Sequence, residues 1–482
     1  MKNLMLLICI PVFLLSCPDG GNEPETKTFW AHNFTNNNFY QLDAELLAEG
    51  TYCNVWVEKG SGVNEGTAKK VADEYDNKIH PKMIAAFGVK IDMGEYGLLD
   101  PMELADAYTD GDGKLCVLLL DIKDGYNPGV NESAVGGYFL PNDLFEGPNS
   151  NFCDMIYIDT YPGKPGEAAS NNTLAHEMQH LMNEITSQEL RARGNTYYQM
   201  DLWIDEGLSG AAEWVYSGVH PDYRWKWYSD NGAGANAKGL IDKGNNFYVW
   251  GNRTNESRYA EQDDYATAYL FFQWLRIQSS KGTGIYKDII GSANENYKAV
   301  TSAASSISGG SSYASDNWAN LLGDWLAANH INNASGAYGY KNDSTLKNIK
   351  KHYIPGSDTS ANLYPGEGVF SKINSTVTTS TATNIKYIFI SNSSISNSTN
   401  IADGTLLTYN ESTVNSGTPT TSSGTVTGIA SISVDFPVNG RFVAPGLSGP
   451  FWVSGGDVLR RNGRAGNLSP AGFPRSLIRI SK

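Results

Sequence analysis

TLAHEMQHLMNEI, residues 173–185, sets two histidines four positions apart, with a glutamate directly after the first. On a helix, residues i and i+4 lie on one face with their Cβ atoms close together. His176 and His180 can therefore each turn a ring nitrogen toward one ion, at zinc's usual distance of about 2.0–2.1 Å. Glu177 sits beside that face, placed to accept a proton from a metal-bound water, which is the physical content of the H-E-x-x-H pattern. Leu174, Met178, Leu181 and Met182 supply apolar packing for such a helix, and Asn171, Asn172 and Thr173 offer side chains to cap its start. A bare histidine pair on a helix is usually structural, so the reading depends on a third ligand elsewhere.

Catalytic zinc usually keeps three protein ligands and one open position. A continuation with a glycine and a third histidine just downstream fails, because those positions hold Asn183 and Thr186. The better candidate is WIDEGLSGAAEW, residues 203–214, in which Glu206 falls on the next expected helix. An antiparallel second helix, reached through the polar segment SQELRARGNT, could bring that carboxylate to the ion. Glu213 is seven positions on, hence on nearly the same face. It is either a carboxylate that orients a zinc-bound histidine through its other ring nitrogen or an exposed helix glutamate.

AHEMQHLMNE followed by WIDEGLSGAAEW resembles the gluzincin zinc peptidases, whose third ligand is the glutamate of a W-[LI]-[ND]-E-G segment. The order of parts is most similar to the hyicolysin-like gluzincins, with DGDGK-type and GGYF-type segments upstream and an aromatic DYxxAYLF helix downstream. The resemblance covers about residues 45–335 and is absent from the last hundred. It implies an α+β, thermolysin-like metallopeptidase domain with a β-rich N-terminal half and a helical zinc-site half. It also implies a single zinc ion on His176, His180 and Glu206, peptide-bond hydrolysis, and Glu177 as general base. In related gluzincins a tyrosine on the following helix donates a hydrogen bond to the oxyanion. DDYATAYLFFQWL offers Tyr265 first and Tyr269 second.

The N-terminus bears on compartment. MKNLMLLICIPVFLLSC, residues 1–17, has Lys2 and then an apolar run from Leu4 to Leu15, too short to span a bilayer and suited to a signal-peptide core. Its ending resembles a bacterial lipobox, in which Cys17 is lipidated and becomes the mature N-terminus; a plain secretory signal with a stray cysteine is the alternative. Residues 18–27 read as a flexible tether. The chain is thus expected in the bacterial cell envelope, lipid-anchored, periplasmic or surface-exposed.

Composition agrees with export: charged residues are only 18%, while Gly, Asn, Ser, Thr and Tyr abound. The net charge of -15 argues against a nucleic-acid partner, since neutralising phosphates requires clustered Lys and Arg. Cys53, Cys116 and Cys153 lie in or beside strand-like runs and read as buried thiols, with one disulfide at most.

TYCNVWVEK, KLCVLLLDI and DMIYIDTY read as buried strands, and EGTAKKVADEYDNKIHPKMIAAFG as a helix stopping near Gly88. Helices are expected over the histidine motif, MDLWIDEGLSGAAEWVYSG, QDDYATAYLFFQWLRIQ and SDNWANLLGDWLAANHI. In the last, Trp318, Leu321, Leu322 and Trp325 form a core stripe. Residues 28–365 make the expected metallopeptidase domain. Beyond them Ser, Thr and Asn dominate, and 370–482 reads as a separate small all-β, sandwich-like domain.

Other segments carry less. In YTDGDGKLC, Asp110 and Asp112 have the form of a calcium loop, but the EF-hand spacing is incomplete and a tight turn before a strand is the favoured reading. His220 is a lesser candidate to approach the metal. The aromatics of 223–250 either line a substrate cleft or pack on one another. The function expected is a zinc endopeptidase acting on protein or peptide. The alternatives are an aminopeptidase, or an adhesion or binding surface lipoprotein with an inactive peptidase fold.

Overall fold

The structure, a computed structural model, describes residues 24–131, 133–191, 199–230, 247–250, 260–307, 313, 316–349 and 351–353, shorter runs between 362 and 426, and residues 451–454. The signal stretch, Cys17 and most of the expected tether lie outside these residues.

Strands β1 (Thr26–Asn33) and β2 (Asn38–Glu49) form a hairpin, and β3 (Cys53–Glu58) adds antiparallel to β2. Thr26 and Lys27, read as tether, already belong to β1. Helices α1 (Glu65–Glu74) and α2 (His80–Phe87) follow, then a short antiparallel pair of β4 (Ile91–Asp92) and β5 (Leu98–Leu99). Helix α3 (Pro101–Tyr108) leads into β6 (Leu115–Leu120), β7 (Ser133–Phe139) and β8 (Met155–Asp159). The sheet order is β1-β2-β3-β6-β8-β7, with Phe451–Ser454 as a seventh strand beside β7.

The three strands read from sequence are β3, β6 and β8, and they run parallel at the sheet's centre. Their side chains divide by the two-residue period of a strand. Val55, Val57, Val117, Leu119, Ile156 and Ile158 face the helices, while Trp56, Leu118, Leu120 and Tyr157 join Phe29 and Tyr138 in a second cluster. Burial on both faces explains why LCVLLL is uniformly apolar. Cys53, Cys116 and Cys153 are free and buried, as their strand-like settings indicated.

One expected helix is divided. Between α1 and α2 the chain takes a widened turn, Tyr75–Ile79, in which the His80 N–H reaches Tyr75 O. Pro81 lies in the first turn of α2. A proline has no N–H to donate and crowds the carbonyl four residues back, so the backbone opens ahead of it. Gly88 ends α2 as read.

The second half is helical: α4 (Ala168–Arg191), α5 (Leu202–Ser217), α6 (Asp222–Ser229), α7 (Ala260–Gln278), α8 (Gly284–Ile290), α9 (Tyr297–Ala304) and α10 (Trp318–Ile331). Helix α4 crosses β7 and β8 and packs on α5, which packs on α7. The approach to β7 is close: a Cβ on Gly137 would stand 2.8 Å from Thr173 Cγ2 and from Tyr157 O. The α4 boundary corrects the sequence reading. The helix begins a turn early, so Asn171, Asn172 and Thr173 sit inside it rather than capping it, and the Thr173 hydroxyl bonds back to Ala169 O at 3.2 Å.

Toward the C-terminus, Gly368–Ile373, Gly404–Asn410, Ile385–Ser391 and Ser394–Ser396 form a four-stranded antiparallel sheet in that order. It lies against α10, where Tyr409 donates to Ala319 O at 3.2 Å and Phe370 stacks on His330. Most of the remainder of the expected sandwich falls outside the described residues.

Candidate metal centre

Helices α4 and α5 build the site between them. Leu174, Met178, Leu181 and Met182 are buried and fix the rotation of α4, which turns His176 and His180 toward α5. From α5 comes Glu206. One ligand atom each from His176, His180 and Glu206 lie within 4.8 Å of one another, and all three residues are buried. His176 Nε2 is 3.4 Å from Glu206 Oε2, and His180 Nε2 is 3.5 Å from Glu206 Oε1.

The far nitrogens are held separately. His176 Nδ1 lies 3.1 Å from Glu213 Oε1, and His180 Nδ1 lies 3.0 Å from Asp205 Oδ2. An ionised carboxylate only accepts, so both Nδ1 atoms carry a proton, and each Nε2, turned to the centre, offers its lone pair to an ion that displaces the second proton. Glu213 is itself gripped by Arg224, whose Nη2 donates to Oε1 at 2.6 Å, and by the Tyr223 hydroxyl, which donates to Oε2 at 2.8 Å. Asn183 Nδ2 donates to Asp205 Oδ1 at 2.5 Å.

Burial alone disfavours a charged imidazole. Around His176, however, the carboxylates of Glu206, Glu213 and Glu177 outweigh it and lift the pKa to about 10. His180 is raised for the same reason, with Asp205 and Glu206 acting against burial. Glu213 is held below the usual carboxylate range because Arg224 and His176 overcome its burial. The pocket is thus strongly cation-attracting.

Zinc fits these residues. Ligand atoms of a tetrahedral ion with bonds of about 2.0–2.1 Å are spaced about 3.3 Å apart, close to the 3.4 and 3.5 Å found here. Neither buried Nε2 makes a hydrogen bond. Two imidazoles and a carboxylate are also zinc's ordinary donors, with a fourth position left over.

The remaining candidates divide. Tyr265 on α7 has its ring centroid 6.5 Å from that of His176, between Trp250 at 4.9 Å and the Arg224 guanidinium at 4.5 Å. Tyr269 is turned away: its hydroxyl meets His220 Nδ1 at 2.6 Å, and His220 Nε2 meets Asp343 at 3.2 Å. His220 therefore bonds with those two and not with the histidine pair. Phe247 and Tyr248 pack into the core around Trp203, and residues 231–246 lie outside the described part.

Sequence reasoning missed Asp205, Tyr223 and Arg224. Asp205 is the residue before the chosen ligand, and the signal was its presence in WIDEG; Tyr223 and Arg224 arrive from α6 with no local pattern to announce them.

A buried His-His-Glu cluster on two packed helices, with H-E-x-x-H spacing on the first, is a donor set that zinc-dependent metallohydrolases use. No family model matches the chain. The chain is 32% identical over 274 residues to the neutral metalloprotease ShpI of Staphylococcus hyicus. The match takes in 55% of this chain and 54% of that protein, so the chain spans about half the length of its curated relative. The likeness supports a zinc metallopeptidase of that hyicolysin-like kind, and the His176–His180–Glu206 cluster fits it.

Proposed function

We propose that the chain is a zinc-dependent endopeptidase of the gluzincin type, hydrolysing peptide bonds of extracytoplasmic proteins. The observation that carries this reading is the 3.4 and 3.5 Å spacing between Glu206 and two histidine nitrogens that make no hydrogen bond. In the proposed site His176, His180 and Glu206 hold the ion, while Glu213 and Asp205 fix the two rings. Zinc, when bound, makes water more acidic and polarises a carbonyl. Glu177, fully buried next to His176, takes a proton from the attacking water on its carboxylate and passes it to the leaving nitrogen. Tyr265, beside His176, donates to the oxyanion.

The name of the relative, neutral metalloprotease, supports a protein or peptide substrate. The lipobox-like ending at Cys17 supports a lipid-anchored enzyme of the bacterial cell envelope. The test is degradation of unfolded casein by the chain beginning after Cys17, zinc supplied, beside its Glu177→Gln variant. Cleavage by the wild type alone is expected. Cleavage by neither protein, with zinc bound to both, would favour a binding protein on a peptidase fold. Release of single residues from peptide ends, with casein left whole, would favour an aminopeptidase.

A further inference from the structure

We propose that Asp106, Asp110, Asp112 and Asp154 form a calcium site where the turn between α3 and β6 meets the start of β8. One oxygen each from Asp106, Asp110 and Asp112 lie within 4.8 Å of one another. Asp110 and Asp154 approach each other within the same limit, so Asp110 joins the two groups. Calcium bonds of about 2.3–2.6 Å place ligand oxygens up to about 5 Å apart across the ion, which matches this spread.

The chain builds this arrangement deliberately. Gly111 and Gly113 hold φ of 68° and 80°, a left-handed conformation that folds the turn back on α3. The Gly113 N–H donates to Asp106 Oδ1 at 2.6 Å; the Lys114 N–H and Asn54 Nδ2 donate to the two oxygens of Asp112 at 2.8 and 3.0 Å. The carboxylates are thereby aimed, and each oxygen keeps a second lone pair.

The independent sign of a ligand is Asp154. Its side chain is 1% exposed, and its Oδ1 accepts no hydrogen bond. A buried carboxylate oxygen without a partner is costly and rare. Asp154 lines a cavity of about 350 Å³ whose wall also holds Asp106 and the buried, likewise unbonded hydroxyl of Tyr75. Among the described residues no Lys or Arg forms an ion pair with any of the four aspartates; the Lys114 ammonium goes to Glu49 at 3.2 Å. Burial and then mutual repulsion push the carboxyls of Asp154, Asp106 and Asp112 upward.

The donor set selects the metal. Cys153 also lies close, but its thiol donates to Asp154 O at 3.9 Å, and the other donors of the cluster are all carboxylate oxygens. Oxygen donors favour a hard cation, and an irregular set with two exposed members open to water favours calcium over magnesium, which demands a near-ideal octahedron. Bound there, calcium ties the α3–β6 turn to the start of β8, the strand that precedes the zinc helix.

The experiment is calorimetric titration of the zinc-loaded chain with calcium chloride in metal-stripped buffer, paired with thermal unfolding. One calcium and a raised unfolding temperature are expected. Asp110→Asn and Asp154→Asn should each weaken calcium binding about tenfold or more, whereas Asp288→Asn, at a surface aspartate paired with Lys281, should leave it intact. Without calcium, Asp154→Asn should unfold at the wild-type temperature or above it; with calcium the order should reverse. Asp110 is exposed, so its variant tests the site even if Asp154→Asn does not fold. No binding at about 10 mM calcium, unchanged affinity in the aspartate variants, or an equal response to magnesium would each overturn the proposal.

Discussion

Asp205 stands 3.0 Å from His180 Nδ1, while Glu206, the next residue of α5, faces Nε2 of the same ring at 3.5 Å. Neighbouring carboxylates of one helix thus address both nitrogens of one imidazole. Removing the outer one frees the ring to rotate and lowers its basicity. Asp205→Ala should therefore reduce zinc affinity by about 10–100-fold, read by competition with a chelator of known affinity. Asp205→Asn keeps an acceptor and should lose less. Wild-type affinity in the alanine variant would show that Ser209, whose hydroxyl lies 3.1 Å from His180 Nδ1, holds the ring unaided.

Glu206 and Glu213 are both buried on α5 and both approach His176, yet at different nitrogens. Glu206→Ala should lose zinc on dialysis. Glu213→Ala should keep most of it, because the ligand atoms remain and only the Nδ1 support is gone. Metal content by elemental analysis decides between them, and the reverse pattern would exchange their roles.

How much of this was legible in the sequence follows from the range of each interaction. The histidine pair is a local matter of helical geometry, and Glu206 announces itself within WIDEG. Which of Asp205 and Glu206 faces Nε2 is not local, since it depends on how α5 is rotated against α4. Arg224 reaches Glu213 from another helix, across a turn that ends α5 at Gly218 in a left-handed conformation. The break before Pro81 was visible as a proline inside a periodic run, but its form, a widened turn rather than an end, is set by packing on both sides. Asp154 and Asp110 lie far apart in sequence, so the aspartate cluster appears in the chain only as a turn.

Gly207 follows the proposed ligand for a steric reason. A Cβ there would stand 2.2 Å from Phe272 Cε2 and 2.3 Å from Cδ2, so α5 and α7 could not keep their present approach. Gly207→Ala should destabilise the protein by about 1–3 kcal/mol, and Phe272→Leu should recover part of that loss. Gly210 is the control. Its Cβ would meet Tyr269 at 3.6 Å, an ordinary contact, and Gly210→Ala should be neutral or stabilising by up to about 1 kcal/mol through helix propensity. Urea unfolding of the three variants tests this, and equal effects of the two alanines would refute the close-approach argument.

Asp143 supplies a pH dependence remote from the metal. It is fully buried, and burial raises its pKa to about 7 even though Tyr157 donates to Oδ2 and the Asn151 N–H to Oδ1, both at 2.7 Å. An unfolded chain returns it to about 3.9. The folded state therefore holds this proton more tightly. Its contribution to stability is complete below about pH 4 and is lost as pH rises through about 7, at up to about 1.4 kcal/mol per unit. Asp143→Asn cannot titrate and keeps an acceptor for the Asn151 N–H. Asp159 is raised into the same range but titrates in both proteins, so it cancels in their difference. The unfolding free energy of wild type minus that of Asp143→Asn should fall between about pH 4 and about pH 7 and level off above. A difference independent of pH across that window would mean that the buried carboxyl titrates at its ordinary value.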